Sequence, residues 1–145
     1  MSKLPTSETP EAKKAVFRRL VELYATADVD ALDELVAPDY TGHTAAGERD
    51  LAEFRQSIAN FHAIFCYDKD SFVIEDQFVD GDKVATRMTA NVKMRETGEP
   101  VTLLGINLAI IRDGKIHEEW NTWEQLQSPQ HVTSEGSIST WKALD

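Results

Sequence analysis

Up to residue 65, apolar residues recur every three or four positions, which is the spacing of one helical face. Thr9 and Pro10 suit an N-cap and a first helical position, and Asp50 and Glu53 have capping-box spacing. The polar stretch over 39–48 predicts an irregular connection. The pattern therefore predicts three helices, over 10–27, 30–36 and 50–65.

After Cys66 the spacing of the apolar residues changes to two, which is typical of strands with one buried face. Asp80-Gly81 and Asp113-Gly114 are typical hairpin-turn sequences. The segment 101–112 has apolar residues on both of its faces, as in a central strand. The pattern predicts an antiparallel meander of four strands, over 71–79, 83–94, 101–112 and 115–126. Helices followed by strands predict an α+β fold.

The last predicted strand carries carboxylates beside tryptophans. Strict alternation places on one face Ile116, Glu118, Trp120, Thr122 and Glu124. The opposite face receives His117, Glu119, Asn121 and Trp123. Whichever face is buried, at least one carboxylate shares it with a tryptophan, and apolar surroundings of that kind suit a general acid or base. The alternative is an edge strand whose carboxylates are solvated.

His43 in the polar stretch is a second candidate for chemistry, with Tyr40 close by in the chain. Histidine can act as an acid, a base or a hydrogen-bond donor near neutral pH, and an exposed loop histidine is the alternative interpretation. The chain has no His-x-x-x-His or Cys-x-x-Cys pair, so the sequence predicts no metal site.

The composition limits the classes of partner. The chain has 145 residues, of which 41% are hydrophobic and 28% charged, as in a soluble globular domain. Its net charge of -10 disfavours nucleic acid and anionic membrane surfaces. We therefore expect a cytoplasmic protein that binds no membrane and has a small molecule or another protein as partner. One domain is predicted over 11–127, between a flexible N-terminal tail (1–10) and a C-terminal tail (128–145).

Several motifs resemble, in their order and spacing, those of SnoaL-like proteins in the nuclear transport factor 2-like superfamily. The segment from Phe17 to Tyr40 resembles the opening of these proteins, and His43, Gly47 and Phe54 fit their Tyr…His…Gly…Phe run. The segment Asp113-Gly-Lys-Ile-His-Glu-Glu-Trp-Asn-Thr-Trp-Glu resembles their Asp-Gly-Lys-Ile-x-Glu-x-Trp-x-x-x-Asp ending. The resemblance covers roughly residues 11–126.

The resemblance implies three N-terminal helices packed in a curved antiparallel sheet, which forms a cone with an apolar pocket. It also implies a homodimer and chemistry that uses no metal and no organic cofactor. In the family's cyclases the carboxylate at the position of Glu124 is typically an aspartate that acts as general acid/base in an intramolecular aldol closure. His43 would orient the substrate or stabilise developing oxyanion charge. The remaining candidates for substrate binding are Tyr40, Arg87, Asn107, Glu118 and Trp120.

These observations predict a cofactor-independent enzyme that cyclises or isomerises a small, apolar, polyketide-like carbonyl compound by general acid/base proton transfer. The alternative is a non-catalytic small-molecule-binding or dimerisation domain on the same fold. Epoxide hydrolysis is a third hypothesis; it needs a water held by polar side chains, and Arg87 and Asn91 share a strand face that would allow part of this. The two apolar faces of 101–112 predict a homodimer through the outer face of the sheet.

Overall fold

The computed structural model describes residues 8–126, in which three α-helices pack against one curved sheet. A 3₁₀ turn (Val29–Ala31) precedes the second helix, and the helices are α1 (Pro10–Thr26), α2 (Leu32–Leu35) and α3 (Leu51–Ile64). The strands are β1 (Val36–Thr44), β2 (Gly47–Arg49), β3 (Phe65–Cys66), β4 (Phe72–Asp80), β5 (Lys83–Met94), β6 (Pro100–Arg112) and β7 (Lys115–Gln125). The predicted α+β class is confirmed. The predicted C-terminal tail and residues 1–7 of the N-terminal tail lie outside the described residues.

The sheet has the strand order β2-β1-β7-β6-β5-β3, and β4 also pairs with β5. The predicted meander is confirmed, because β4, β5, β6 and β7 pair antiparallel in chain order. The predicted irregular connection over 39–48 is wrong, since β1 and β2 form there. β1 pairs parallel with β7, so the sheet is mixed rather than wholly antiparallel. The buried positions of β1 include Tyr40 and Gly42. Because their neighbours in the chain are polar, the segment shows no alternation of apolar residues from which a strand could be predicted.

The helix ends follow the predicted capping chemistry. At the start of α1 the hydroxyl of Thr9 accepts a hydrogen bond from the backbone N–H of Ala12, and Pro10 is the first helical residue. At the start of α3, Asp50 and Glu53 form a reciprocal capping box. Such caps stabilise a helix by about 1 kcal/mol each, so they fix where α1 and α3 begin.

The core lies between the helices and the inner face of the sheet. The largest fully buried apolar side chains in it are Leu32, Phe54, Ile58, Ile111 and Ile116. Burying a side chain of this size contributes about 1.5–3 kcal/mol before the cost of ordering it. This cluster therefore holds α1 and α3 over the sheet and leaves a polar site and a cavity beside it.

A β-bulge at His117 determines which side chains of β7 face inward. Ile116 lies opposite Ile111 while Glu118 lies opposite Ile110, so His117 is an extra residue in β7. The predicted strict alternation is therefore wrong beyond Ile116. The side chains that share the inner side with Ile116 are Glu119, Asn121 and Trp123, whereas the outer face receives Glu118, Trp120, Thr122 and Glu124.

Candidate functional site

Glu119 is a buried carboxylate at the centre of a polar network, with a side chain that is only 1% exposed. Its Oε1 accepts hydrogen bonds from the Tyr40 hydroxyl at 2.5 Å and from Arg49 Nη2 at 2.8 Å. Its Oε2 accepts one from Asn107 Nδ2 at 2.7 Å. A carboxylate has about four acceptor positions. One position, on Oε2, is therefore left for a further donor.

The two residues on Oε1 keep their protons. Burial alone would lower the pKa of Arg49, but the charge of Glu119, with Tyr24 and Tyr40, raises that pKa above its ordinary value. Burial, together with the negative charge of Glu119, raises the pKa of Tyr40 well above its ordinary value. The guanidinium therefore stays charged, and the phenol remains a hydrogen-bond donor.

The neighbouring elements hold these donors in place. Arg49 ends β2, its guanidinium carbon lies 4.0 Å from the ring centroid of Phe54, and its Nη1 donates to Ser57 Oγ at 3.2 Å. The ring of Tyr40 stacks on Phe54 with centroids 5.1 Å apart. A Cβ at Gly42 would overlap the Tyr40 hydroxyl, so only glycine leaves room for this arrangement.

An interior cavity lies against Glu119. Its apolar walls include Phe17, Leu20, Val21, Phe54, Phe72 and Met88. Its volume is about 20 Å³, which is room for about one water molecule. A neighbouring cleft of about 150 Å³, the size of a cavity that takes benzene, shares Tyr24, Asn121 and Trp123 with it and extends to Arg49. The carboxylate thus lies beside an apolar space that a small ring can approach.

Three polar side chains besides Glu119 line this cavity, namely Tyr24, Asn107 and Asn121. Burial raises the pKa of Tyr24 above its ordinary value, so its hydroxyl keeps its proton and can donate. Among the described residues, the side-chain oxygens of Asn107 and Asn121 are buried without a hydrogen-bond partner. The cavity therefore offers a donor, two amide acceptors and a carboxylate within apolar walls.

Trp123 forms one wall of the cavity because its partner in β6 is a glycine. Gly105 lies directly opposite Trp123, and a Cβ on Gly105 would stand 2.6 Å from the indole ring. The expectation that a carboxylate of β7 shares the inner face with a tryptophan is met by Glu119 and Trp123.

Of the residues predicted for the site, the structure brings two to Glu119. Tyr40 and Asn107 both donate to its carboxylate, from β1 and β6. Substrate binding by either residue stays a prediction, because the hydrogen bonds show only that they hold Glu119.

The other predicted site residues lie on the outer face of the sheet. His43 donates from Nε2 to Glu118 Oε2 at 2.8 Å, and its ring stacks on Trp120 with centroids 4.9 Å apart. His43, Trp120 and Ile106 border an outer groove of about 450 Å³. Arg87 is exposed and donates to Asp76 at 2.7 Å.

Glu124 is exposed on the outer face, opposite Leu104 of β6. The predicted face for Glu124, shared with Ile116, is wrong because the His117 bulge reverses the alternation between them. The structure therefore does not bring Glu124 and His43 into one closed pocket. Neither residue is among those lining the interior cavity.

Sequence reasoning missed the central residues of the site. Strict alternation places Glu119 on the face opposite Ile116, whereas the bulge puts the two on the same inner side, and no local turn residue reveals that bulge. Arg49 and Tyr24 are not among the predicted site residues. Arg49 directly precedes Asp50, the N-cap of α3. This position indicates that the backbone of Arg49 is fixed, but it does not indicate that the side chain contacts a carboxylate.

The donors around Glu119 disfavour a cation at this carboxylate, because Arg49 already supplies the positive charge. Elsewhere in residues 8–126, no group of three or more His, Cys, Asp or Glu side chains could hold a metal ion. None of the helices in this range is long and apolar enough to cross a membrane.

Helices packed on a curved mixed sheet around a cavity define an α+β cone, and comparisons with known proteins agree. The family model of the SnoaL-like domain matches residues 17–119. This chain therefore belongs to the SnoaL-like domain family. No sequence among the curated proteins matches it.

Solved structures share the fold. Wild-type IdmH of Streptomyces antibioticus, a proposed polyketide cyclase, is 25% identical with a TM-score of 0.66, over 77% of this chain and 91% of that one. AclR of Streptomyces galilaeus, a proposed hydroxylase, is 19% identical with a TM-score of 0.72, over 94% and 96%. An LEH-like epoxide hydrolase of M. tuberculosis is 13% identical with a TM-score of 0.65, over 79% and 84%.

Proposed function

We propose that this protein is a cofactor-independent enzyme that removes a proton next to the carbonyl of a small apolar compound and so cyclises or isomerises it. The observation that carries this proposal is the buried Glu119 carboxylate, which keeps one open acceptor position beside an apolar cavity. A general base must lie within hydrogen-bond reach of the proton that it takes. Glu119 meets this requirement for a ligand that lies in the neighbouring cleft and reaches into the cavity, and it replaces Glu124 as the proposed acid/base. The likeness to IdmH supports the cyclase class.

In the proposed reaction, Glu119 Oε2 takes the proton from the carbon beside the carbonyl, and the C–H electron pair forms an enolate. The Tyr24 hydroxyl donates a hydrogen bond to the enolate oxygen and stabilises its charge. In a cyclisation, the enolate carbon bonds to a second carbonyl carbon of the same molecule, and the proton on Glu119 passes to the new alkoxide. In an isomerisation, that proton returns to a different carbon. Either route restores the Glu119 carboxylate.

Arg49, Tyr40 and Asn107 are positioning residues in this scheme. Their three hydrogen bonds fix both oxygens of Glu119 and direct the open position of Oε2. A carboxylate fixed in this way loses little freedom when the substrate arrives, and orientation of a reacting group is a large part of catalysis.

The test is exchange of carbon-bound protons with solvent deuterium, followed by NMR for cyclohexanone, 2-indanone and 2-tetralone. We expect the protein to accelerate exchange of at least one of these ketones, and Glu119→Gln to lose about 10²–10⁴-fold of that rate. Glu75→Gln, at an exposed position on β4, is the matched control and should leave the exchange rate unchanged. Exchange that is equal in the wild type and in Glu119→Gln would contradict the proposal.

Epoxide hydrolysis is a second candidate, and one observation favours it. The cavity beside Glu119 has room for about one water, and Asn107 Oδ1 is an unpartnered acceptor for that water. Arg87 and Asn91 do not contribute to this site, since both are exposed. Incorporation of ¹⁸O from labelled water into a diol product would support hydrolysis over cyclisation. Binding without turnover of any of these compounds would instead support the non-catalytic alternative.

We also propose a homodimer through the outer face of β6 and β7. Ile106 is 59% exposed and Trp120 41% exposed, and both are next to the outer groove. An apolar patch of this kind on a sheet face is unusual for a surface that only meets water. A second copy of this chain would cover it and leave the interior cavity free.

A further inference from the structure

Asn107 presents an acceptor to the cavity whose direction is fixed. The residue is 2% exposed, and its Nδ2 donates to Glu119 Oε2 at 2.7 Å. A carboxylate only accepts hydrogen bonds, so the amide cannot rotate to place its oxygen there. Asn107 Oδ1 therefore points away from Glu119 and is buried without a partner in the described residues.

A second unpartnered acceptor stands next to the first. Asn121 lies directly opposite Asn107 in the β6–β7 pair, and its Oδ1 is also buried without a partner. Both residues line the interior cavity. A buried acceptor without a donor costs free energy comparable to a lost hydrogen bond, so such groups are rare unless something occupies the site.

Acceptors dominate the polar end of the cavity. Glu119 Oε2 has one open position, and Asn107 and Asn121 add their amide oxygens. Arg49 already balances the charge of Glu119, and the remaining walls are largely apolar, so a second cation would be poorly solvated there. The arrangement therefore favours a neutral donor attached to an apolar body.

We infer that the cavity and the neighbouring cleft together bind an apolar ring compound carrying a hydroxyl group. The ring lies in the cleft, which has room for it, and the hydroxyl reaches into the cavity, where Asn107 Oδ1 accepts its hydrogen bond. Asn107 is then a specificity determinant as well as a positioning residue for Glu119. The inference rests on the proposed function, because it describes the ligand of the same cavity. It adds that the ligand carries a hydrogen-bond donor, because a carbonyl group has none to offer to Asn107 Oδ1.

The test compares phenol, toluene and anisole as probes, with dissociation constants measured by ligand-observed NMR. Phenol has the donor, whereas toluene and anisole lack it at similar size. We expect the phenol-to-toluene affinity ratio to fall about tenfold in Asn107→Leu, with toluene binding retained, because one hydrogen bond is lost. Asn91→Leu, on the exposed side of β5, is the matched control and should keep the wild-type ratio. An unchanged ratio in Asn107→Leu, or no phenol binding by the wild type, would overturn the inference.

A measurement on the unaltered protein covers the case in which Asn107→Leu fails to fold. In ¹⁵N-labelled wild-type protein, the Asn107 side-chain amide signal should move when phenol binds and move less with toluene or anisole. Equal shifts with all three probes would overturn the inference. Its failure is distinguishable from failure of the proposed function, which is decided by proton exchange in Glu119→Gln rather than by probe binding.

Discussion

Arg49 Nη2 and Glu119 Oε1 lie 2.8 Å apart, and their side chains are 12% and 1% exposed. Charges removed from water in this way depend on each other, because either one alone would be buried without compensation. The pair joins the short strand β2 to β7 and holds the carboxylate beside the cavity.

Removing the cation should therefore be costly. We expect Arg49→Met to lower the free energy of unfolding by about 3–5 kcal/mol, as measured by urea denaturation. The double variant Arg49→Met/Glu119→Gln should be more stable than Arg49→Met, because it removes the uncompensated charge. Arg19→Met, which breaks the exposed pair with Glu34, should cost no more than about 1 kcal/mol. A double variant that is less stable than Arg49→Met would contradict this account of the pair.

Gly105 should be intolerant of a methyl group. A Cβ there would stand 2.6 Å from the Trp123 ring, so Gly105→Ala must displace the indole and is expected to cost about 1–3 kcal/mol. Tryptophan fluorescence should report the displacement. In a Trp123→Leu background the same substitution should cost clearly less. Equal costs in the two backgrounds would show that the contact with Trp123 is not the cause.

The Asp82–Arg112 pair should stabilise the fold except in acid. The hydrogen bond from Arg112 Nε at 2.8 Å lowers the pKa of Asp82 below its ordinary 3.8. A carboxyl whose pKa is depressed by folding stabilises the protein above its unfolded pKa and loses that contribution as the pH falls through its folded pKa. Asp82→Asn should therefore lower Tm slightly near neutral pH, and the difference should begin to shrink below about pH 3.8 and vanish once the pH is below the depressed pKa of the folded state. Asp80→Asn, at an exposed neighbour in the same hairpin, is the control, and a Tm difference that grows in acid would contradict the prediction.

The proposed dimer makes a prediction about the outer face. Light scattering should give about twice 16.3 kDa for the wild type. Ile106→Glu places a charge on the exposed apolar surface and should give a monomer that still binds phenol at the cavity and its neighbouring cleft. Val73→Glu, at an exposed apolar position on β4, is the matched control and should remain dimeric. A wild type that stays monomeric would count against this interface.

The sequence was sufficient for most of the fold. The helix starts at Pro10 and Leu51 carry strong capping signals, and the strands from β4 to β7 have clear period-two patterns with Asp-Gly turns. The sequence does not predict the parallel strand β1, because the inward residues of this strand include Tyr40 and Gly42 rather than a row of aliphatic side chains. β1 forms because it pairs with β7, a strand that is distant from it in the sequence.

The site was harder to predict, for a reason that lies in one residue. The bulge at His117 reverses the faces of every later side chain in β7, so Glu119 faces inward and Glu124 outward. Tyr40 and Asn107 are among the residues predicted to bind the substrate. Their common hydrogen-bond partner, Glu119, is set by the register between β1, β6 and β7, and no local sequence pattern predicts that register.

The most direct test of the central claim compares the two carboxylates of β7 in one assay. Initial rates of solvent-deuterium exchange into 2-tetralone are measured for the wild type, Glu119→Gln and Glu124→Gln, with folding checked by circular dichroism. We predict that Glu119→Gln loses about 10²–10⁴-fold while Glu124→Gln stays within about twofold of the wild type. The reverse order, with exchange abolished in Glu124→Gln and retained in Glu119→Gln, would contradict the assignment of Glu119 as the acid/base.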